Sequence, residues 1–147
     1  MKKTIEIEAY TIDEHPNKEA VYDWIRDNWH DLSYYVVEEF VDSLNELKKE
    51  IGGKLDWSVS AVPDRGEFIK FTNYDKDALN KLNADDCPLT GVYCDHIVIN
   101  GLKDDDLESA VLDAIHQENE YLYSDDELFE MCEANQYYFN IDGSFNS

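Results

Sequence analysis

Residues 103–133 read KDDDLESAVLDAIHQENEYLYSDDELFEMCE, a run in which twelve carboxylates face one amine, Lys103. Leu107, Ala110, Val111, Ala114, Ile115 and Leu122 recur within it at the three-and-four spacing of a helix that buries one stripe. Asp105 or Asp106 is placed to cap that helix. Ser124 followed by Glu127 fits a capping box opening a second helix, with Leu128, Phe129, Met131 and Cys132 as its apolar face. The acids therefore ride on a rigid support, displayed outward in rows. Side chains one helical turn apart lie roughly 5–6 Å from each other, near the spacing of successive phosphates along a nucleic-acid strand.

Working outward, the whole chain of 147 residues holds 12 basic and 34 acidic residues, a net charge of −22. Its hydrophobic fraction of 43% and aromatic fraction of 13% are too rich for ordinary disorder, so a folded polyanion is the expected class. Length predicts a single acidic α+β domain over 1–147, large enough to need neither metal nor disulfide. Residues 101–147 hold 1 basic and 13 acidic residues against 11 and 21 in residues 1–100, so the last third carries more than half of the excess. Self-repulsion of that size destabilises a compact state, and a chain that keeps it is expected to use it; the bland alternative is an acidic surface that serves hydration alone. Direct binding to nucleic acid is disfavoured, because counterion release requires Lys and Arg that are scarce here. No apolar run approaches a membrane span, and Met1-Lys2-Lys3 leads to Glu6 and Glu8 rather than to an apolar signal core. Three irregularly spaced cysteines argue against a secreted disulfide framework. A cytoplasmic protein is expected.

Upstream, Thr4 to Thr11 alternates as a half-buried strand, and Asn17 caps a helix running to about Trp29 with Ala20, Val21, Trp24 and Ile25 inward. Val37, Phe40, Val41, Leu44, Leu47 and Ile51 form a continuous stripe ended by Gly52-Gly53, the central core helix. Glu38, Asp42 and Glu46 fall off that stripe. Leu55 to Val62 and Glu67 to Thr72 read as an antiparallel pair joined by a four-residue turn, Pro63-Asp64-Arg65-Gly66. Asp75 caps a short helix to Leu82. Residues 83–102 read as a packed loop with a brief strand near His96 to Ile99, and Tyr137 to Ile141 as a last strand. The expected fold is α+β: a mostly antiparallel sheet of about four strands, helices on one face, and acidic C-terminal helices.

Thirty-four carboxylates offer too many pairs to single out a general acid, and there is no Gly-x-Ser-x-Gly elbow, phosphate-cradling glycine loop or His-Glu-x-x-His. A binding protein rather than an enzyme is expected, without a cofactor. Cys87, Cys94, His96, His116 and Cys132 lack the spacing of a structural zinc site. Asp104-Asp105-Asp106-Leu107-Glu108 lacks the glycine and distal Glu of a calcium loop. Trp24, Trp29 and Trp57 are expected in the core. Tyr121 and Tyr123, lying among acids, suit an interface anchor.

The segment Thr4 to Glu14, the Trp-containing helix Val21 to Trp29, the run Cys87-Pro88-Leu89-Thr90-Gly91-Val92-Tyr93, and the ending Glu133 to Gly143 resemble a family of small acidic proteins from phages, prophages and plasmids. Ile12 stands where that family usually has Phe, and His15-Pro16 where it has Leu-Ser. The resemblance implies a mobile-element origin. It supplies no active site to carry over, and some members carry an antitoxin-like label.

Charge and resemblance together point to a DNA mimic that inhibits a bacterial defence system, of the anti-CRISPR or anti-restriction kind, by occupying the Lys/Arg-lined groove of a host nuclease or nucleoprotein complex. The alternative is an antitoxin or regulatory module neutralising a basic protein. The carrying residues would be Asp104, Asp105, Asp106, Glu108, Asp113, Glu120, Tyr121, Asp125, Asp126, Glu127, Glu130 and Glu133, with Glu38, Asp42 and Glu46 as a second row. Monomer and dimer are both compatible with the sequence.

Overall fold

Asn17 precedes a run with apolar residues at Val21, Tyr22 and Ile25, and in the computed structural model, which describes residues 8–146, its side chain caps a helix by accepting from the Ala20 N–H at 3.3 Å. In chain order the elements are β1 (Ala9–Thr11), α1 (Lys18–Asn28), α2 (Asp31–Ile51), β2 (Lys54–Ser58), β3 (Phe68–Thr72), α3 (Lys76–Lys81), a 3-10 turn (Ala84–Asp86), α4 (Val92–Lys103), α5 (Leu107–Leu122), α6 (Asp125–Asn135) and β4 (Tyr138–Asn140). Of the first expected strand, residues 4–7 lie outside the described residues. No helix among the described residues is long and apolar enough to cross a membrane.

The chain forms two compact units, one from the described residues up to Asp31 and from Glu120 onward, the other from Leu32–Asn119. In the first, β1 pairs antiparallel with β4, Tyr10 opposite Phe139. Ile12, Val21, Tyr22, Ile25, Leu128, Cys132 and Phe139 are among its buried side chains. Trp24 and Trp29 meet edge to face at 5.5 Å, and Trp29 also packs on Tyr137, Phe139 and Phe145. His15, 2% exposed, accepts the Asn17 N–H on Nδ1 at 3.0 Å, which leaves its proton on Nε2 to be donated to the Asn140 carbonyl at 2.7 Å. One imidazole thus ties the cap of α1 to β4.

In the second unit, Val36, Phe40, Leu44, Leu47 and Ile51 are the buried stripe of α2. Each such side chain stabilises by about 1.5–3 kcal/mol, against about 1 kcal/mol for a helix cap, so packing decides where this helix lies. Val37 and Val41 are only half-buried, because the stripe is centred on Val36, Phe40 and Ser43. Strands β2 and β3 pair with Leu55 opposite Phe71 and Trp57 opposite Ile69. Ile69 and Phe71 are buried while Trp57 remains 39% exposed, unlike Trp24 and Trp29.

Three expectations are corrected. Among the described residues the four strands do not join in one sheet under helices; they form two separate two-stranded antiparallel sheets, with six helices. A strand has two edges to pair: β4 uses one on β1 and covers the other with its own return, where Asn140 N–H donates to Ser144 O at 2.7 Å, Asn146 N–H donates to Tyr138 O at 2.9 Å, and Phe139 bridges Phe145. The second correction is that His96 to Ile99 lies inside helix α4, not in a strand. A four-residue apolar run has no periodicity that separates strand from helix. The β2–β3 connection is also longer than a four-residue turn, since pairing stops at Ser58 and Phe68.

Candidate functional site

Ser124 accepts the Glu127 N–H at 3.5 Å and so opens α6, but the reciprocal half of the capping box is absent: the Glu127 carboxylate accepts instead from the Tyr121 hydroxyl at 2.6 Å. Leu128 and Cys132 face inward on α6. Asp126, Glu130 and Glu133 recur at four and three residues on the opposite side and are exposed, an acid row one turn apart. Glu120 and Tyr121, also exposed, precede it at the end of α5.

The first unit adds a partner that spacing alone does not reveal. Arg26 on α1 is paired with both Asp125 and, at 3.5 Å, Asp23. Glu19, one turn nearer the start of α1, sits against Asp125, and that carboxylate pushes the Glu19 carboxyl above its ordinary range. Two acids thus pair with one guanidinium, and a third crowds Asp125. Burial, then Asp125, likewise raises the Tyr22 phenol.

In the second unit Glu38, Asp42 and Glu46 follow each other at four-residue spacing along α2, extended by Glu39 and Glu50. Asp104, Asp105 and Asp106 are exposed in the bend before α5, where Asp105 adopts a left-handed backbone with φ 56°. Asp105, Asp106 and Glu108 line an open cavity of about 440 Å³ with Lys70. Along the outward side of α5 the row is thin, because Ser109 and Gln117 alternate with Asp113 and Glu120. Of the expected carboxylates, only Asp125 and Glu46, held by Lys49 at 2.7 Å, have a cationic partner among the described residues.

The expected set is therefore divided. Asp104, Asp105, Asp106, Glu108, Asp113, Glu38, Asp42 and Glu46 belong to the second unit, and Glu120, Tyr121, Asp125, Asp126, Glu127, Glu130 and Glu133 to the first. Counted over the sequence, residues 1–31 with 120–147 hold four basic and fifteen acidic residues, and residues 32–119 hold eight and nineteen, so each part carries −11. The concentration of charge in the last third of the sequence does not carry over to the folded units.

Two further carboxylates, one buried and one half-buried, serve the scaffold. Asp95, fully enclosed, accepts from the Leu89 N–H at 2.7 Å, the Thr90 N–H at 2.9 Å and the hydroxyls of Thr90 and Ser43, each at 3.1 Å. Burial alone would push its carboxyl up; the backbone N–H groups of Thr90, Leu89 and Gly91 and the Ser43 hydroxyl outweigh that and hold it below the ordinary range. Glu67 accepts from His116 Nε2 at 2.9 Å and from the Ser60 N–H at 3.0 Å, which anchors the loop 59–67 to α5. Among the described residues no group of three His, Cys, Asp or Glu side chains is arranged to hold a metal ion.

No protein-family model, curated protein or solved structure matches this chain.

Proposed function

We propose that this chain is a stoichiometric inhibitor that presents carboxylates to the Lys/Arg-lined nucleic-acid groove of a host defence nuclease or nucleoprotein complex, as a DNA mimic of the anti-CRISPR or anti-restriction kind. The observation that carries the proposal is that the acids of two helices, Asp126, Glu130 and Glu133 on α6 and Glu38, Glu39 and Asp42 on α2, are exposed in turn-spaced rows with no cation beside them among the described residues. Carboxylates so held keep their charge for a partner. In this reading Tyr121, 56% exposed, is an aromatic anchor beside the α6 row.

Complementary fields speed encounter by about 10–1,000-fold and are screened beyond about 8–10 Å at physiological ionic strength. Affinity capture from the producing host, at low and high salt, is expected to recover a large basic nucleic-acid-binding complex at low salt only, and duplex DNA should compete with it. Charge reversal to lysine at Asp105, Asp106, Asp125 and Asp126 should abolish capture. An unchanged yield from the reversed variant refutes the proposal. Recovery of one small basic protein instead of a nucleoprotein identifies an antitoxin-like module.

A further inference from the structure

A second cavity of about 300 Å³ lies within the Leu32–Asn119 unit, between α2 and the start of α4. Glu39 and Asp42, one turn apart on α2, form one wall; Tyr93 and Cys94, in the first turn of α4, form another. The volume is at the bottom of the roughly 300–1,000 Å³ range of small-molecule pockets, room for about one side chain. No lysine, arginine or histidine is among its described lining residues, and neither Glu39 nor Asp42 has an ion-pair partner among the described residues.

Three properties of the cavity suit a flat cation. Its aromatic wall is held in place, since Tyr93, 50% exposed, meets the buried Phe40 ring edge to face at 5.8 Å. Its charge is negative, since Glu39 and Asp42 are the charged side chains of its lining, and burial, followed by the carboxylates of Glu39, Asp95 and Glu118, pushes the Cys94 thiol up to about 12. Cys94 itself, 7% exposed, lines the cavity as part of the hydrophobic core and adds apolar surface to its wall. Asp95 is not part of the offered charge, because its oxygens are already taken by the 89–91 turn and Ser43. A flat, weakly hydrated cation that stacks on a ring and spans two carboxylates matches these walls better than a strongly hydrated point charge.

We propose that the Glu39–Asp42–Tyr93 cavity receives a single guanidinium, the side chain of an arginine presented by a basic protein partner. This deepens the function proposed above and rests on it for the existence of that partner. The cation–aromatic contact and the two carboxylates would then choose arginine over lysine at one position, where the turn-spaced rows recognise charge without shape.

The test uses the isolated full chain and needs no partner. Backbone amide and Tyr93 ring signals are followed by NMR during titration with N-acetyl-arginine amide, its lysine counterpart, and the neutral citrulline isostere. Saturable shifts confined to Thr90, Gly91, Tyr93 and Cys94 are expected with arginine, at least several-fold weaker binding with lysine, and no response to citrulline. Glu39→Gln combined with Asp42→Asn should weaken arginine binding at least ten-fold, Tyr93→Leu several-fold, and Tyr93→Phe hardly at all. Equal shifts at the Asp126 and Glu130 amides, a citrulline response like that of arginine, or indifference to the double substitution overturns the proposal. If arginine saturates the cavity while reversal of Asp105, Asp106, Asp125 and Asp126 leaves capture unchanged, only the mimic reading fails; diffuse titration beside salt-sensitive capture sinks only the cavity.

Discussion

Asp95 shows how a single side chain can hold a turn that has little propensity of its own. Four donor groups converge on its two oxygens, and a bond to a charged acceptor contributes about 1.5–3 kcal/mol. Asp95→Asn should therefore destabilise the protein by about 2–4 kcal/mol at neutral pH. Because the folded-state carboxyl is held low, this stabilisation is fully present above the unfolded value of about 3.9 and disappears as pH falls through the lower folded value. Urea unfolding of both proteins across that acid range checks it: the gap must close on acidification. Glu19 has the opposite sign. Its carboxyl is raised by Asp125, so its contribution is favourable only below the unfolded value and turns to repulsion as pH rises through the folded one. Glu19→Gln is expected to raise the melting temperature slightly at neutral pH and not in acid. Neither role is legible in one dimension, because Asp95 depends on Ser43 and Glu19 on Asp125, each distant in the chain.

At the scale of elements, Gly52 and Gly53 end α2 and both have positive φ, +66° and +91°. They differ in what surrounds them. A Cβ on Gly52 would meet open space, whereas one on Gly53 would lie 2.6 Å from the Thr72 carbonyl and 2.8 Å from the Tyr74 nitrogen. Gly52→Ala should cost about 1–2 kcal/mol from backbone strain alone, and Gly53→Ala clearly more, because the α2-to-β2 passage must also move off β3. Chemical denaturation of the two variants tests the order. The sequence announced the end of α2 through this Gly-Gly pair, and also the caps at Asn17, Asp75 and Ser124, since each depends on neighbours within a few residues. It did not announce α4. Its twelve residues include a central apolar run, and what starts the helix is the turn folded around Asp95, a contact whose partners include Ser43 far away in the chain.

For the molecule as a whole, −22 is carried by units of −11 each, with few ion pairs among the described residues to offset it. Like-charge repulsion of this kind is long-ranged and screened, with a Debye length of about 10 Å at 0.1 M salt and about 3 Å at 1 M. Sodium chloride over that range should therefore raise the midpoint of urea unfolding, and a flat response would mean that the charges already lie too far apart to interact.

Composition by itself determined that the chain folds and is strongly anionic, and local spacing determined which acids of α2 and α6 lie away from the core, because both depend only on residue type and on the repeat of a helix. Tertiary structure alone decided that four strands make two sheets, that the acidic run 103–133 is divided between two units, and that Glu19 meets Asp125 while Glu39 and Tyr93 share a cavity. The physical reason is that edge pairing and side-chain convergence join residues distant in the chain, and hydrophobic period records which face turns inward without recording what it meets there.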